Sequence, residues 1–127
     1  MYKQMFTTSL SSGKHMICDF KGIQNTDLLN NHTNLKNMLK QICELHQFQI
    51  LDELEYSFTP QGYTLIFLLS ESHISIHTFP EKSHISFDIY TCRQYQNNNE
   101  YIRIYEYLMK HLQCSETTTL KIVDRFF

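Results

Sequence analysis

Residues 68–92 read LLSESHISIHTFPEKSHISFDIYTC. Apolar and polar residues alternate on both sides of the segment FPEKS, 79–83. A period of two predicts half-buried strands, here 72–78 and 84–91. The proline-containing segment between them predicts a hairpin connection. Strands of this kind are usually filled by Val, Ile and Thr. This ribbon carries Glu71, Ser72, His73, His77, His84 and Cys92 as well. Chemistry and plain strand-face polarity are both open readings of that composition.

Outward from the hairpin, TPQG at 59–62 predicts a turn, with Pro60 fixing φ and Gly62 free to take a positive one. Residues 63–70 read as a buried strand and 47–57 as a strand of mixed character. Leu35, Met38, Leu39, Ile42 and Leu45 repeat at helical spacing, capped by Thr33 or Asn34. Tyr101, Ile104, Tyr105, Leu108 and Leu112 mark a second amphipathic helix after the polar loop QYQNNNE. Strands at 14–20 and 117–123 complete the order β-α-β-β-β-β-α-β. That order predicts an α+β two-layer sandwich: a mostly antiparallel sheet with two helices on one face, in a single domain, 1–127. Strands 63–70 and 84–91 read as apolar on both sides, so the uncovered face is expected to meet a second copy as a homodimer.

Composition narrows the function. The 127 residues carry 11 basic and 13 acidic side chains. The basic ones are scattered, without the stripe that a nucleic-acid partner requires. No apolar run is long enough to span a membrane. MYKQMFTTSLSSGKH lacks the apolar centre of a secretory leader. Cysteines at 18, 43, 92 and 114 form no CxxC pair, so reduced, cytoplasmic thiols are expected rather than a zinc site or disulfide framework.

Spacing limits what the hairpin can do. His73 and His77 are four apart, but on a strand that is roughly 13 Å at about 3.3 Å per residue. They cannot share one ion, and no metal is expected. If Thr78 pairs near His84, opposed residue numbers sum to about 162. Cys92 then falls opposite Ser70 and His77 near Ile85, so that a hydroxyl, a thiol and an imidazole gather around the Glu71–Ser72 bond. A Ser-His-Asp hydrolase lacks its G-x-S-x-G elbow here. By spacing alone, a satisfied strand histidine and a buried cysteine account for the same residues. His15, His32, His46 and His111 read as surface or cap residues, and Cys18, Cys43 and Cys114 as core or helix-face thiols.

ESHISIHTFPE at 71–81 resembles the processing and active-site motif of prokaryotic S-adenosylmethionine decarboxylase proenzymes. The likeness runs back through FTPQGYT at 58–64 and forward to FDIYTC at 87–92, with GKHMICDF at 13–20 as a weaker match. The resemblance implies a self-made pyruvoyl cofactor, without metal or pyridoxal phosphate. Ser72 would attack the preceding carbonyl, and autocatalytic cleavage between Glu71 and Ser72 would turn the zymogen into a β chain, 1–71, and an α chain, 72–127. His77 matches the histidine that abstracts a proton during processing, and Thr64 stands where a processing serine is common. The pyruvoyl group would hold S-adenosylmethionine as a Schiff base. Cys92 matches the proton donor of decarboxylation; a thiol is mostly protonated at neutral pH and can deliver that proton. Phe58 matches an aromatic that stacks on adenine, although an ordinary core phenylalanine is an equal reading. Glu81 matches the carboxylate that receives the ribose hydroxyls, against a solvated loop charge.

The implied activity is a carboxy-lyase step supplying spermidine and polyamine biosynthesis. Two alternatives remain: an arginine or ornithine decarboxylase on the same scaffold, and an unprocessed regulatory homologue. The sequence departs from the family at Thr64, at Arg93, where glycine commonly follows the cysteine, and at QYQNNNE, where an acidic segment is common. His73 and His84 take no role from the resemblance.

Overall fold

The computed structural model describes residues 10–127. Most of the stretch read for a secretory leader lies outside the described residues. Among these, no helix is long and apolar enough to cross a membrane.

Six strands form one sheet: β1 (Ser11–Phe20), β2 (Ile50–Ser57), β3 (Tyr63–Leu69), β4 (Ser72–Phe79), β5 (His84–Thr91) and β6 (Thr119–Phe126). Their order is β2-β3-β4-β5-β1-β6, and every neighbouring pair is antiparallel. The helices are α1 (Thr26–Leu29), α2 (His32–Leu45) and α3 (Asn99–Leu112). The α+β sandwich expected from the periodicities is the fold observed, with the short α1 added.

Alternation along the strands decides which face is covered. Leu65, Phe67, Ile74, Ile76, Phe87, Ile89, Met16 and Cys18 are buried in one core with Leu35, Leu39 and Ile42 of α2 and Ile104, Leu108 and Leu112 of α3. Each such side chain contributes about 1.5–3 kcal/mol on leaving water. Burial also pushes the Cys18 and Cys43 thiols up to about 12, as expected of core thiols. Among the described residues, the opposite face carries no helix.

Three details differ from the sequence expectations. The cap of α2 is Asn31: its backbone is extended and its side chain accepts from the Asn34 N–H at 3.0 Å. The face of β5 expected to be apolar on the open side instead presents His84, Ser86, Asp88 and Tyr90, all half-buried. The hairpin register is also shifted by one residue. Pro80–Lys82 form a 3-10 turn and Ser83 takes a left-handed φ of 49°, so Phe79 pairs with His84 and Thr78 with Ile85. Cys92 therefore lies opposite Glu71 rather than Ser70, and His77 opposite Ser86 rather than Ile85. In a sheet such a slip exchanges the two faces, so it decides which groups meet.

Candidate active site

The β3–β4 turn is closed by the Leu69–Ser72 pair and has Ser70 and Glu71 as its two loop residues. Ser72, just past the turn, has φ +153°, a region that side-chain-bearing residues rarely adopt. The strain sits on the residue whose nitrogen belongs to the Glu71–Ser72 peptide bond. The carbonyl of that bond is held: Glu71 O accepts the Cys92 N–H at 3.1 Å. Cys92 itself is exposed, and Thr91, paired with Ser72, is fully buried. Gly13 secures this corner. A Cβ there would lie 2.0 Å from the Thr91 carbonyl oxygen and 2.7 Å from Cys92 Cα, so β1 can pass the cysteine only as glycine.

Arg93 grips the same turn. Its Nε donates to Glu71 Oε2 at 2.9 Å, and its Nη2 pairs with Glu71 Oε1. That fork holds the Glu71 carboxyl below the usual carboxylate range.

A second cluster lies at the far end of β4. His77 Nδ1 and Thr64 Oγ1 are 2.9 Å apart on paired strands. An open cleft of about 360 Å³ joins these two to Phe58, Gly62, Phe79 and Glu81. Phe58 is 50% exposed, which excludes the core reading, and its ring packs at a tilt of 58° against Tyr56, with 4.7 Å between ring centroids. Its N–H donates to Gly62 O at 2.8 Å across the turn. Glu81 stands on the exposed 3-10 turn at the rim.

The two clusters do not meet within one chain. From Ser72 to His77 is five strand residues, roughly 16 Å at ~3.3 Å each. The expected gathering of hydroxyl, thiol and imidazole around Glu71–Ser72 is corrected accordingly. Ser72 and Cys92 share one end of the ribbon; His77, Thr64, Phe58 and Glu81 share the other.

The open face also holds a network that the sequence reading missed. Asp88 accepts from His15 Nε2 at 2.6 Å and from the Ser75 hydroxyl, with His73 Nε2 at 3.4 Å. One ligating atom from each of His15, His73 and Asp88 lies within 4.8 Å of the others. Burial raises the Asp88 carboxyl, but the bonds from Ser75 and His15 outweigh it and leave it below its ordinary value. His15 is thus a network residue rather than a surface one. Its partner across the sheet, Tyr90, donates to the Ser12 carbonyl at 2.6 Å. Nothing in the linear spacing brings residues 15, 73 and 88 together; only the order β4-β5-β1 does.

The chain is similar to known proteins of one family. A family model described as S-adenosylmethionine decarboxylase matches residues 14–125. An S-adenosylmethionine decarboxylase proenzyme of Brevibacillus brevis is 37% identical over 111 residues, covering 87% of this chain and 80% of its own. One from Thermoplasma volcanium is 32% identical over 111 residues, covering 87% and 82%. The crystal structure of the adenosylmethionine decarboxylase from Aquifex aeolicus superposes with a TM-score of 0.80 at 25% identity over 94% of each chain. The chain belongs to the S-adenosylmethionine decarboxylase family.

Proposed function

We propose that this chain is a cytoplasmic, self-processing, pyruvoyl-dependent S-adenosylmethionine decarboxylase that acts as a homodimer with sites shared between copies. The observation that carries the proposal is the strained Glu71–Ser72 junction with its carbonyl already on a backbone donor. Ser72 Oγ bonds to the Glu71 carbonyl carbon, and the negative charge that develops on the oxygen stays on the Cys92 N–H. The C–N bond then breaks, the Oγ proton passes to the released nitrogen, and Glu71 is left as an ester on Ser72. A base takes the Ser72 α-proton and the Cβ–O bond breaks. Glu71 departs as the carboxylate end of the 1–71 chain. The dehydrated residue takes up water and loses ammonia, which leaves a pyruvoyl group at the start of the 72–127 chain.

His77 is the base for that elimination, with Thr64 orienting its ring. The roughly 16 Å between the clusters of one chain favours a His77 supplied by a second copy. The open face supports such a partner. Leu54, Tyr56, Ile66 and Leu68 are 71%, 63%, 37% and 51% exposed along β2 and β3, and an isologous two-fold contact buries the same patch twice. An antiparallel approach of two β4 strands sets Ser72 of each copy near the cleft of the other.

Once formed, the pyruvoyl carbonyl supplies an electron sink for the bond between a substrate's α-carbon and its carboxylate. Cys92, at the same end of the ribbon as Ser72, would supply the proton that replaces CO₂ on the substrate's α-carbon. Phe58 offers a free aromatic face to adenine and to the sulfonium charge, and Glu81 accepts from the ribose hydroxyls. An aromatic and a carboxylate in one cleft favour a nucleoside substrate over arginine or ornithine.

Release of CO₂ from S-adenosylmethionine, arginine and ornithine by the purified protein tests the assignment. Release from S-adenosylmethionine is expected; release from arginine or ornithine instead would replace the substrate and keep the cofactor. A single 15.2 kDa species by intact mass, with no turnover, would leave the unprocessed regulatory reading. In the same assay Cys92→Ala should still self-cleave, while kcat falls by ~10²-fold, the usual loss for a general acid. Unchanged turnover would remove Cys92 from the site.

A further inference from the structure

We infer that Arg93 is a positioning residue for self-cleavage, clamping Glu71 so that the scissile carbonyl stays in line for Ser72. The inference rests on the self-processing reading above.

All five guanidinium N–H groups of Arg93 have partners. Nε and Nη2 take the two carboxylate oxygens of Glu71. Nη1 donates to His46 O at 2.7 Å and to Tyr95 Oη at 3.1 Å, and Nη2 donates also to Gln47 O at 2.9 Å. The guanidinium carbon lies 4.4 Å from the centre of the Phe48 ring. His46 and Gln47 close the C-terminal end of α2, where helix carbonyls lack partners and a cation is favoured. His46 is itself fixed, with Nδ1 2.7 Å from Glu100 Oε2 of α3. The arginine therefore ties the scissile turn to the ends of two core helices.

Arg93 follows directly on the residue whose N–H holds the scissile carbonyl. The side chain of Glu71 and its carbonyl are thus both fixed from one dipeptide, Cys92-Arg93. A two-residue turn otherwise lets its peptide planes rotate. Attack by Ser72 through a five-membered ring requires one plane only, and a bidentate fork on a scaffolded arginine restricts it. The guanidinium charge is matched by the Glu71 carboxylate, so its part is geometric. A lysine retains the charge and loses the planar fork.

The experiment follows cleavage of freshly purified full-length proenzyme by intact mass over time, with thermal unfolding as a fold control. Arg93→Ala should slow cleavage on the order of tenfold or more, as misplacement of a reacting group does, and Arg93→Lys should fall between it and the wild type. Glu71→Gln should slow cleavage as well. The double variant should be no slower than the slower single, because both remove one clamp. Added hydroxylamine, which cleaves an ester on Ser72, should not restore the rate of Arg93→Ala, since the delay precedes ester formation. Wild-type rates in Arg93→Ala, multiplicative losses in the double variant, or rescue by hydroxylamine would each overturn the clamp. Ser72→Ala runs alongside: its cleavage would sink the self-processing reading, whereas intact Ser72→Ala with unimpaired Arg93→Ala would sink the clamp alone. Should Arg93→Ala unfold, Arg93→Lys and the near-isosteric Glu71→Gln keep the comparison decisive.

Discussion

Ser72→Ala is expected to give one uncleaved chain of essentially full mass with no decarboxylase activity. The expectation is absolute because the hydroxyl has two tasks. It is the nucleophile that moves Glu71 from nitrogen to oxygen, and its Cβ–O bond is the one broken when the pyruvoyl carbons form. Alanine retains the backbone at this position, including the φ of +153°, and so retains the strain without a route to release it. Neighbouring hydroxyls cannot substitute. Ser70 lies on the other side of Glu71, and Thr91 is buried across the ladder with its oxygen accepting the Arg93 N–H at 3.1 Å. Intact mass and a CO₂ assay on the same sample check the result. Fragments ending at Glu71 in this variant would remove Ser72 from the chemistry and with it the pyruvoyl origin.

How far the sequence reveals such a site depends on what holds each part. The strands and both long helices follow from periods of two and 3.6, since burial of one face imposes them on the chain locally. Phe58, Thr64, His77 and Glu81 were legible as motif positions, and the cleft that joins them follows from strand pairing across the TPQG turn. The register of the hairpin was not legible. It depends on a left-handed Ser83, and no period in the flanking strands reports the conformation of one loop residue. The split between the two clusters was hidden for the same reason that a strand misleads: five residues look adjacent in a motif and are far apart in space. Arg93 stood out in the sequence only as a departure from glycine. Its partners at 46 and 47 come from a helix end nearly fifty positions away, which no local pattern encodes.

Mixing two inactive variants should restore cleavage. If Ser72 and Cys92 of one copy work with His77 and Thr64 of the other, Ser72→Ala and His77→Ala fail for different reasons. The first lacks a nucleophile but still lends its His77 to a partner. The second has a nucleophile but offers its partner no base, and as a homodimer it should stall at the ester. In a mixed dimer, the His77→Ala chain faces the intact His77 of the Ser72→Ala chain, and one of the two sites is complete. Random pairing across a two-fold makes about half of the dimers mixed; purification through both tags isolates these, and about half of their sites should be active. Co-expression of the two variants with different tags, purification through both tags, and intact mass of the His77→Ala chain give the measurement. The expected result is cleavage of that chain after residue 71, with decarboxylase turnover to match, and no cleavage of the Ser72→Ala chain. If each copy instead carried a complete site, His77→Ala would remain unprocessed in the mixed dimer. That outcome, with mixed dimers confirmed by native mass, would refute the shared site and require β4 to bend so that His77 reaches Ser72 within its own chain.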